Sequence, residues 1–312
     1  MKEKTVFPNP HWLLDGSEDK QTEFVVVLAS THLHEDTIKL FQQLLNDNNV
    51  VIDSSNTLLS DKATEIYITV LTQQAWELFQ ELLATAAAED FDVAVLPVSS
   101  RKKKLLVCDM DSTIVKSETL DDVAERIGIG EQVSKITTRA MCGELDFRQA
   151  LQERISLLKN MSEMVINEAA ETLQFNPGAE ILVRSAHEHG IRTVLVSGGF
   201  EPIVKVVAEK LGFDRYICNQ MEISDNKLTG KVLEPIVDAS TKLGVLKEEC
   251  QSLGIKLEEA CSIGDGANDL PLLQAAGLGI AFQGKPLLRT SIPYQLNSSG
   301  LDTVLLMMSI AG

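Results

Sequence analysis

Apolar positions along this chain change rhythm several times, and each change marks an element. FVVVLAS at residues 24 to 30 is an unbroken apolar run that predicts a buried strand, and residues 34 to 46 then carry Ile38, Phe41, Leu44 and Leu45 at helical spacing. VVIDSSNTLL and EIYITVL are two β-rich runs parted by Ser60, Asp61 and Lys62; a helical stretch from Gln73 to Ala88 and a last strand, DVAVLPV, follow. The predicted order is β-α-β-β-α-β. Residues 99 to 104, SSRKKK, are polar and basic and read as a linker. Beyond it LLVCD shows no alternation, as expected for a parallel strand covered on both faces. Similar runs recur at Arg192 to Val196, Ala260 to Ile263 and Gly277 to Phe282 with helical stretches between them, which predicts an open α/β sheet.

One interval in that sheet is too long. Asp111 and Ser197 lie 86 positions apart, whereas a parallel crossover needs only about a dozen residues. From Glu118 to Leu173 the pattern is helical, with breaks at Gly128, Gly130 and Gly143, and Asn176, Pro177 and Gly178 mark a re-entry turn. A small helical insertion over about residues 117–176 is therefore expected. The segment YICNQMEISDNKLTGKV reads as a hairpin around Ser224, Asp225 and Asn226. The division predicted is a ferredoxin-like α+β module over residues 1–100 and an α/β domain with a helical cap over residues 101–312.

Composition narrows the setting. The 312 residues are 44% hydrophobic and 23% charged, inside the globular range. No apolar stretch approaches the ~20 residues that cross a bilayer, and the start MKEKTVFPNPHW has no secretory pattern. A cytoplasmic protein without a membrane partner is expected. The net charge of -17 disfavours a nucleic-acid surface. It is uneven: the first hundred residues hold 5 Lys and Arg against 16 Asp and Glu, another sign of a separate module. The five cysteines (Cys108, Cys142, Cys218, Cys250, Cys261) never take C-x-x-C spacing and read as buried free thiols. His32 and His34 form a His-x-His pair without ligand partners and read as a solvent-facing loop or helix start.

Candidate chemistry gathers where strands end. Asp109 and Asp111 close the first α/β strand, and an i, i+2 pair there turns both carboxylates to one side; in open parallel sheets that edge is where ligands bind. A lone D-x-D is more often a loop or capping pair. The next core strand ends in Ser197-Gly198-Gly199 before a helix start, a combination suited to a phosphate oxyanion as well as to a plain cap. Another ends in Gly264-Asp265-Gly266-Ala267-Asn268-Asp269, and Lys242 lies early in the helix before it. Each string alone has an ordinary structural explanation; three successive strand ends of this kind do not.

With D-M-D-S-T, V-S-G-G, an isolated lysine and G-D-G-A-N-D in this order, the chain resembles the haloacid dehalogenase superfamily. Glu118 after DMDSTIVKSE, the cap segment MCGELDFRQALQERISLLKN with Arg154, and VSGGF narrow the resemblance to its phosphoserine phosphatases, over roughly residues 104–310. That resemblance implies Mg²⁺-dependent hydrolysis of the small molecule O-phospho-L-serine through an aspartyl-phosphate, the final step of L-serine biosynthesis. It implies Asp109 as nucleophile and Asp111 as proton donor, with metal held by Asp109, the Asp111 carbonyl and Asp265. It further implies phosphate binding by Ser197, Gly198 and Lys242 and substrate binding by Glu118, Arg154 and Asn268, with Asp269 and Thr113 in support. A phosphotransferase or phosphatase acting on another hydroxyl metabolite, such as homoserine, is the alternative. Residues 1–100 resemble an ACT domain, but the place of its Gly-rich ligand turn reads STHLHED, without glycine. A structural role, or homodimer formation, is therefore expected of that module rather than amino-acid sensing.

Overall fold

The structure is a computed structural model that describes residues 7–13, 20–58, 62–141 and 144–310. The expected Ser60 and Asp61 turn, Cys142 and the Gly143 break lie outside the described residues.

The N-terminal part runs β1 (Gln21–Ala29), α1 (Glu35–Asp47), β2 (Ile52–Leu58), β3 (Ala63–Leu71), α2 (Thr72–Glu89) and β4 (Asp92–Pro97). Its four strands are antiparallel in the order β2-β3-β1-β4, the ferredoxin-like arrangement. Phe24 to Ala29 are buried without alternation because both faces of β1 are covered. His32 and His34 are exposed at the start of α1, as expected.

The rest begins with β5 (Leu105–Cys108), continues through the insertion α3 (Thr119–Arg126), α4 (Gly130–Met141), α5 (Phe147–Ser156) and α6 (Met164–Glu171), and returns with α7 (Ala179–Glu188). Then come β6 (Arg192–Phe200), α8 (Glu201–Leu211), β7 (Arg215–Ser224), β8 (Lys227–Leu233), α9 (Ala239–Leu253), β9 (Ala260–Gly264), α10 (Leu270–Ala275), β10 (Leu278–Phe282), α11 (Pro286–Ser291), β11 (Tyr294–Leu296) and α12 (Thr303–Met307). The seven-stranded sheet has the order β11-β10-β9-β5-β6-β7-β8, parallel from β11 to β7, with β8 antiparallel at the edge. Strand β5 is central, so the loop after it opens at the middle of the sheet edge. Asp225 and Asn226 have φ of 51° and 58°, the turn that two-residue hairpins require. That hairpin supports the cap: the Asn160 and Glu163 amides donate to the Leu228 and Asn226 carbonyls.

The expected linker is not a free tether. Arg101 and Lys103 are 2% and 7% exposed. The Arg101 guanidinium pairs with Glu65 and also donates to the Leu306 carbonyl, and Lys103 Nζ donates to the Ser100 and Glu258 carbonyls. Basic residues marked the segment as exposed, but buried carbonyls and a carboxylate supply the partners that let it be buried. Nearby, Asp92 accepts from the Asn297, Ser298 and Ser299 amides, and Tyr294 stacks on Phe79 at 5.4 Å. One apolar core runs through both parts. No helix among the described residues is long and apolar enough to cross a membrane.

Candidate active site

Asp109 follows β5 directly, its amide bonded to the Ile263 carbonyl of β9. The chain then turns tightly, with the Thr113, Ile114 and Val115 amides all directed at the Met110 carbonyl. This turn brings Asp111 around so that it accepts from the Thr119 amide at 2.9 Å and from Ser197 Oγ at 3.1 Å. Asn176, in the re-entry turn, donates to the Thr113 and Val115 carbonyls and so ties the two roots of the cap together. Thr113 is fully buried and its hydroxyl has no hydrogen-bond partner.

The glycines beside these groups are dictated by close approach. A Cβ on Gly199 would stand 2.9 Å from Ser197 Oγ and 3.3 Å from Asp111 Oδ2, whereas one on Gly198 would meet only Phe147 of the cap, at 3.8 Å. Gly198 is oriented by Asn219, whose Nδ2 donates to its carbonyl at 2.7 Å. On the β9 side, a Cβ on Gly264 would fall 2.5 Å from Asp269 Cγ; only glycine lets that carboxylate sit under the strand end.

Lys242 is 1% exposed and donates at 2.6 Å to both Asp109 Oδ1 and Asp269 Oδ1. Burial opposes its charge, but the two carboxylates outweigh burial and hold its pKa up. Asp269 spends its other oxygen on the Asp265 and Gly266 amides. Burial, reinforced by Asp269 and opposed by Lys242, holds Asp109 well above the usual carboxylate range. Burial likewise lifts Asp111 to about 6, against hydrogen bonds from Thr119 and Ser197 that favour its anion. Asp265 is raised by burial against the pull of Lys285.

A cavity of about 120 Å³ lies over these groups. Asp109, Asp111, Gly198, Gly199, Asp265 and Asn268 line it from the sheet edge, and Glu118, Phe147, Leu151 and Arg154 from the cap and its root. Arg154 has its Nε buried without a partner. Glu118 accepts from Ser112 Oγ at 3.1 Å and from Lys285 Nζ at 3.0 Å. The structure thus gathers Asp109, Asp111, Glu118, Arg154, Gly198, Asp265 and Asn268 around one cavity, with Ser197, Lys242 and Asp269 bonded directly to its floor and Thr113 behind the loop. Sequence reasoning missed Lys285 and the apolar wall of Phe147, Leu151 and Phe200, and read Asn176 only as part of the re-entry turn. The only signal near Lys285 is the turn string Gly284-Lys285-Pro286.

The donor set fits a hard divalent cation. Carboxylate oxygens of Asp109, Asp265 and Asp269 lie within 4.8 Å of one another, all buried. Burial is the main cause that lifts both Asp109 and Asp265, and a divalent cation among their oxygens would favour the ionised forms. Among described residues this all-oxygen cluster is the one group of its kind.

Comparison with known proteins agrees with this geometry. Residues 106–274 match the model of the haloacid dehalogenase-like hydrolases. A phosphoserine phosphatase from Streptococcus thermophilus is 43% identical over 213 residues, which cover 68% of this chain and 99% of that one. A HAD-family hydrolase from Salmonella enterica serovar Typhi superposes with a TM-score of 0.84 at 28% identity, over 92% of this chain and 98% of its own. The structure of a phospho-aspartyl intermediate analogue of phosphoserine phosphatase superposes with a TM-score of 0.61 at 37% identity, over 66% of this chain and 98% of that one. Strand-end carboxylates, a helical cap rooted beside them and 43% identity to such a relative over 99% of its length lead to one assignment: the chain belongs to the phosphoserine phosphatases of the haloacid dehalogenase-like hydrolases.

Proposed function

We propose that this chain hydrolyses O-phospho-L-serine to L-serine and phosphate, with Mg²⁺ as cofactor and Asp109 as the group that carries the phosphoryl between two steps. The observation that carries this reading is the meeting, in one small cavity, of Asp109 and Asp111 with Glu118 and Arg154. The first pair suits a phosphoryl group. The second offers opposite charges to an ammonium and a carboxylate on the same carbon.

Phosphate monoesters hydrolyse extremely slowly in water, so the barrier must fall a long way. Covalent catalysis divides the task. A carboxylate oxygen of Asp109 attacks phosphorus, forming one O–P bond as the seryl O–P bond breaks, and Asp111 gives its proton to the departing seryl oxygen. Burial, which lifts Asp111 to about 6, keeps a protonated fraction near neutrality. In the second step Asp111, now ionised, takes a proton from the water whose oxygen attacks phosphorus; the Asp109 to phosphorus bond breaks, phosphate leaves, and both carboxyl groups are restored.

Ser197 Oγ, the Gly198 amide and Lys242 hold the non-reacting phosphoryl oxygens, where charge is spread in the transition state. Asn268 contacts the substrate. Asp269, both of whose oxygens are spent on Lys242 and on the Asp265 and Gly266 amides, positions those groups. Thr113 backs the Asp111 loop from its buried side. The Asp109 and Asp265 carboxylates and the Asp111 carbonyl would hold Mg²⁺, which would supply the positive charge that lets a phosphate dianion sit among carboxylates. We place this activity in the cytoplasm. We read residues 1–100 as a structural module: the Thr31 amide in the turn after β1 donates to the Ser298 carbonyl, so the ligand turn of an ACT-like site is engaged by the protein itself. The edge of β2 that β3 leaves unpaired is the surface available for pairing with a second copy.

The test is phosphate release from O-phospho-L-serine with Mg²⁺, with EDTA, and in Asp109→Asn and Arg154→Ala, beside p-nitrophenyl phosphate. Turnover should require Mg²⁺ and Asp109, and Arg154→Ala should damage phosphoserine hydrolysis far more than that of the aryl ester. Equal losses on both substrates would overturn the reading, and delivery of the phosphoryl group to homoserine rather than water would replace it.

A further inference from the structure

The mechanism above uses Lys242 and Arg154 but leaves a third cation of the site without a task. Lys285 caps the start of α11, and its amide donates to the Asp265 carbonyl at 2.8 Å. Its Nζ lies 3.0 Å from Glu118 Oε1 and 3.0 Å from Asp265 Oδ2, so one ammonium spans the root of the cap and the end of β9. These are the two carboxylates assigned above to the incoming cations, Glu118 to the substrate ammonium and Asp265 to the metal. Lys242 differs: it is enclosed, its side chain 1% exposed, whereas that of Lys285 is 55% exposed on a flexible stem and free to swing into water.

We propose that Lys285 is a resident counter-ion, holding Glu118 and Asp265 in the ligand-free protein and giving way when the metal and the substrate ammonium arrive. The assignment rests on the phosphoserine reading for Glu118 and on the carboxylate cluster alone for Asp265. Its physical basis is crowding. Asp109, Asp111, Glu118 and Asp265 all line one cavity, and without a cation between the cap root and the core their mutual repulsion would part the two. Because the lysine occupies one oxygen of each carboxylate, an entering cation competes with it for the same groups. Binding is then an exchange of charge for charge, which favours ligands bringing both a divalent cation and an ammonium over phosphoesters that lack the amine.

Two measurements decide this. Mn²⁺ binding to the substrate-free full-length protein is followed by water-proton relaxation in wild type, Lys285→Met and Lys285→Arg. Lys285→Met should bind Mn²⁺ about fivefold more tightly, the size of one lost competing ion pair near the surface, and Lys285→Arg should stay near wild type. In wild type, amine acetylation read by mass spectrometry should show Lys285 becoming more reactive when Mn²⁺ is added, and more so with Mn²⁺ plus L-serine. Unchanged or weaker Mn²⁺ binding in Lys285→Met overturns the proposal. Tighter binding with no change in Lys285 labelling also overturns it, because a fixed distant charge would do the same. The labelling uses unmutated protein, so a misfolded variant leaves the question decidable. The Mn²⁺ arm needs no substrate: failure of the phosphoserine reading would remove only the added effect of L-serine.

Discussion

Lys242→Met isolates the electrostatics of the site floor. The substitution keeps the length of the side chain and removes the one charge that Asp109 and Asp269 share, each at 2.6 Å from Nζ. Those carboxylates are left with ligand oxygens no more than 4.8 Å apart. At that separation two unit charges repel by about 3.5 kcal/mol for an effective dielectric of ~20. Asp109, already held up by burial and by Asp269 and now without the opposing pull of Lys242, therefore keeps its proton in the folded variant at a pH where the unfolded chain has lost it. A raised folded-state value contributes stability at low pH that is lost as pH rises through it. The variant should accordingly melt below wild type by a smaller margin at pH 5 than at pH 8, where the deficit should reach about 10 °C, taking ~3 °C per kcal/mol for a domain of this size. Thermal melting at both pH values, without metal, is the assay. Mg²⁺ at pH 8 should return much of the loss by supplying the missing charge, although phosphoserine turnover stays at least ~100-fold down for want of the phosphate ligand. A melting difference that is the same at pH 5 and pH 8 would refute the reasoning.

Other consequences follow from single contacts. Asp111, lifted by burial to about 6, must be protonated to serve the poor seryl leaving group. The ratio of kcat/KM for phosphoserine to that for p-nitrophenyl phosphate, whose leaving group needs no proton, should fall about tenfold per pH unit above that value; a ratio constant from pH 5 to 8 would sink the assignment. Gly199→Ala drives a Cβ to 2.9 Å from Ser197 Oγ and should cut kcat by about 100-fold. Gly198→Ala, with open space and only Phe147 at 3.8 Å, should act mainly on KM; steady-state kinetics on both variants separates the two. Asp92→Ala strands the Asn297, Ser298 and Ser299 amides and should lower stability by about 3 kcal/mol. Denaturant melts should give that loss with and without Mg²⁺, since none of the carboxylates around the cavity is altered.

Much of this was legible because the informative residues sit at strand ends. Asp109, Ser197 and Asp265 each follow an apolar run, and parallel strands necessarily bring such ends to one edge. The cap was legible from an interval too long for a crossover. What eluded the sequence was partnership across distance. Lys242 has no local sign of burial; its enclosure depends on two aspartates, one 133 positions before it and one 27 after it. Lys285 is 167 positions from Glu118 and reads as part of a turn. SSRKKK reads as a linker, yet Arg101 and Lys103 find acceptors in the other half of the chain. Hydrophobic periodicity reports which face of an element is buried, and is silent on which charge meets which.

The burial of that connecting segment also bears on the role of the N-terminal module. The Streptococcus thermophilus relative is spanned almost end to end by a match that covers only 68% of this chain, so the chemistry of the family does not demand the additional part. In this chain, however, the module supplies a wall. Asp92 gathers the amides of residues 297–299. Directly after them the Leu301 amide donates to the Pro177 carbonyl, and a Cβ on Gly178 would collide with the Asp302 amide at 2.4 Å. Next to Pro177 is Asn176, which ties the two roots of the cap at Thr113 and Val115. The loop that the N-terminal sheet orders is thus the loop on which the cap's re-entry turn rests. A sheet so placed contributes by ordering groups that would otherwise pay conformational entropy at the base of the cap, and those contacts give it a structural task near the active site.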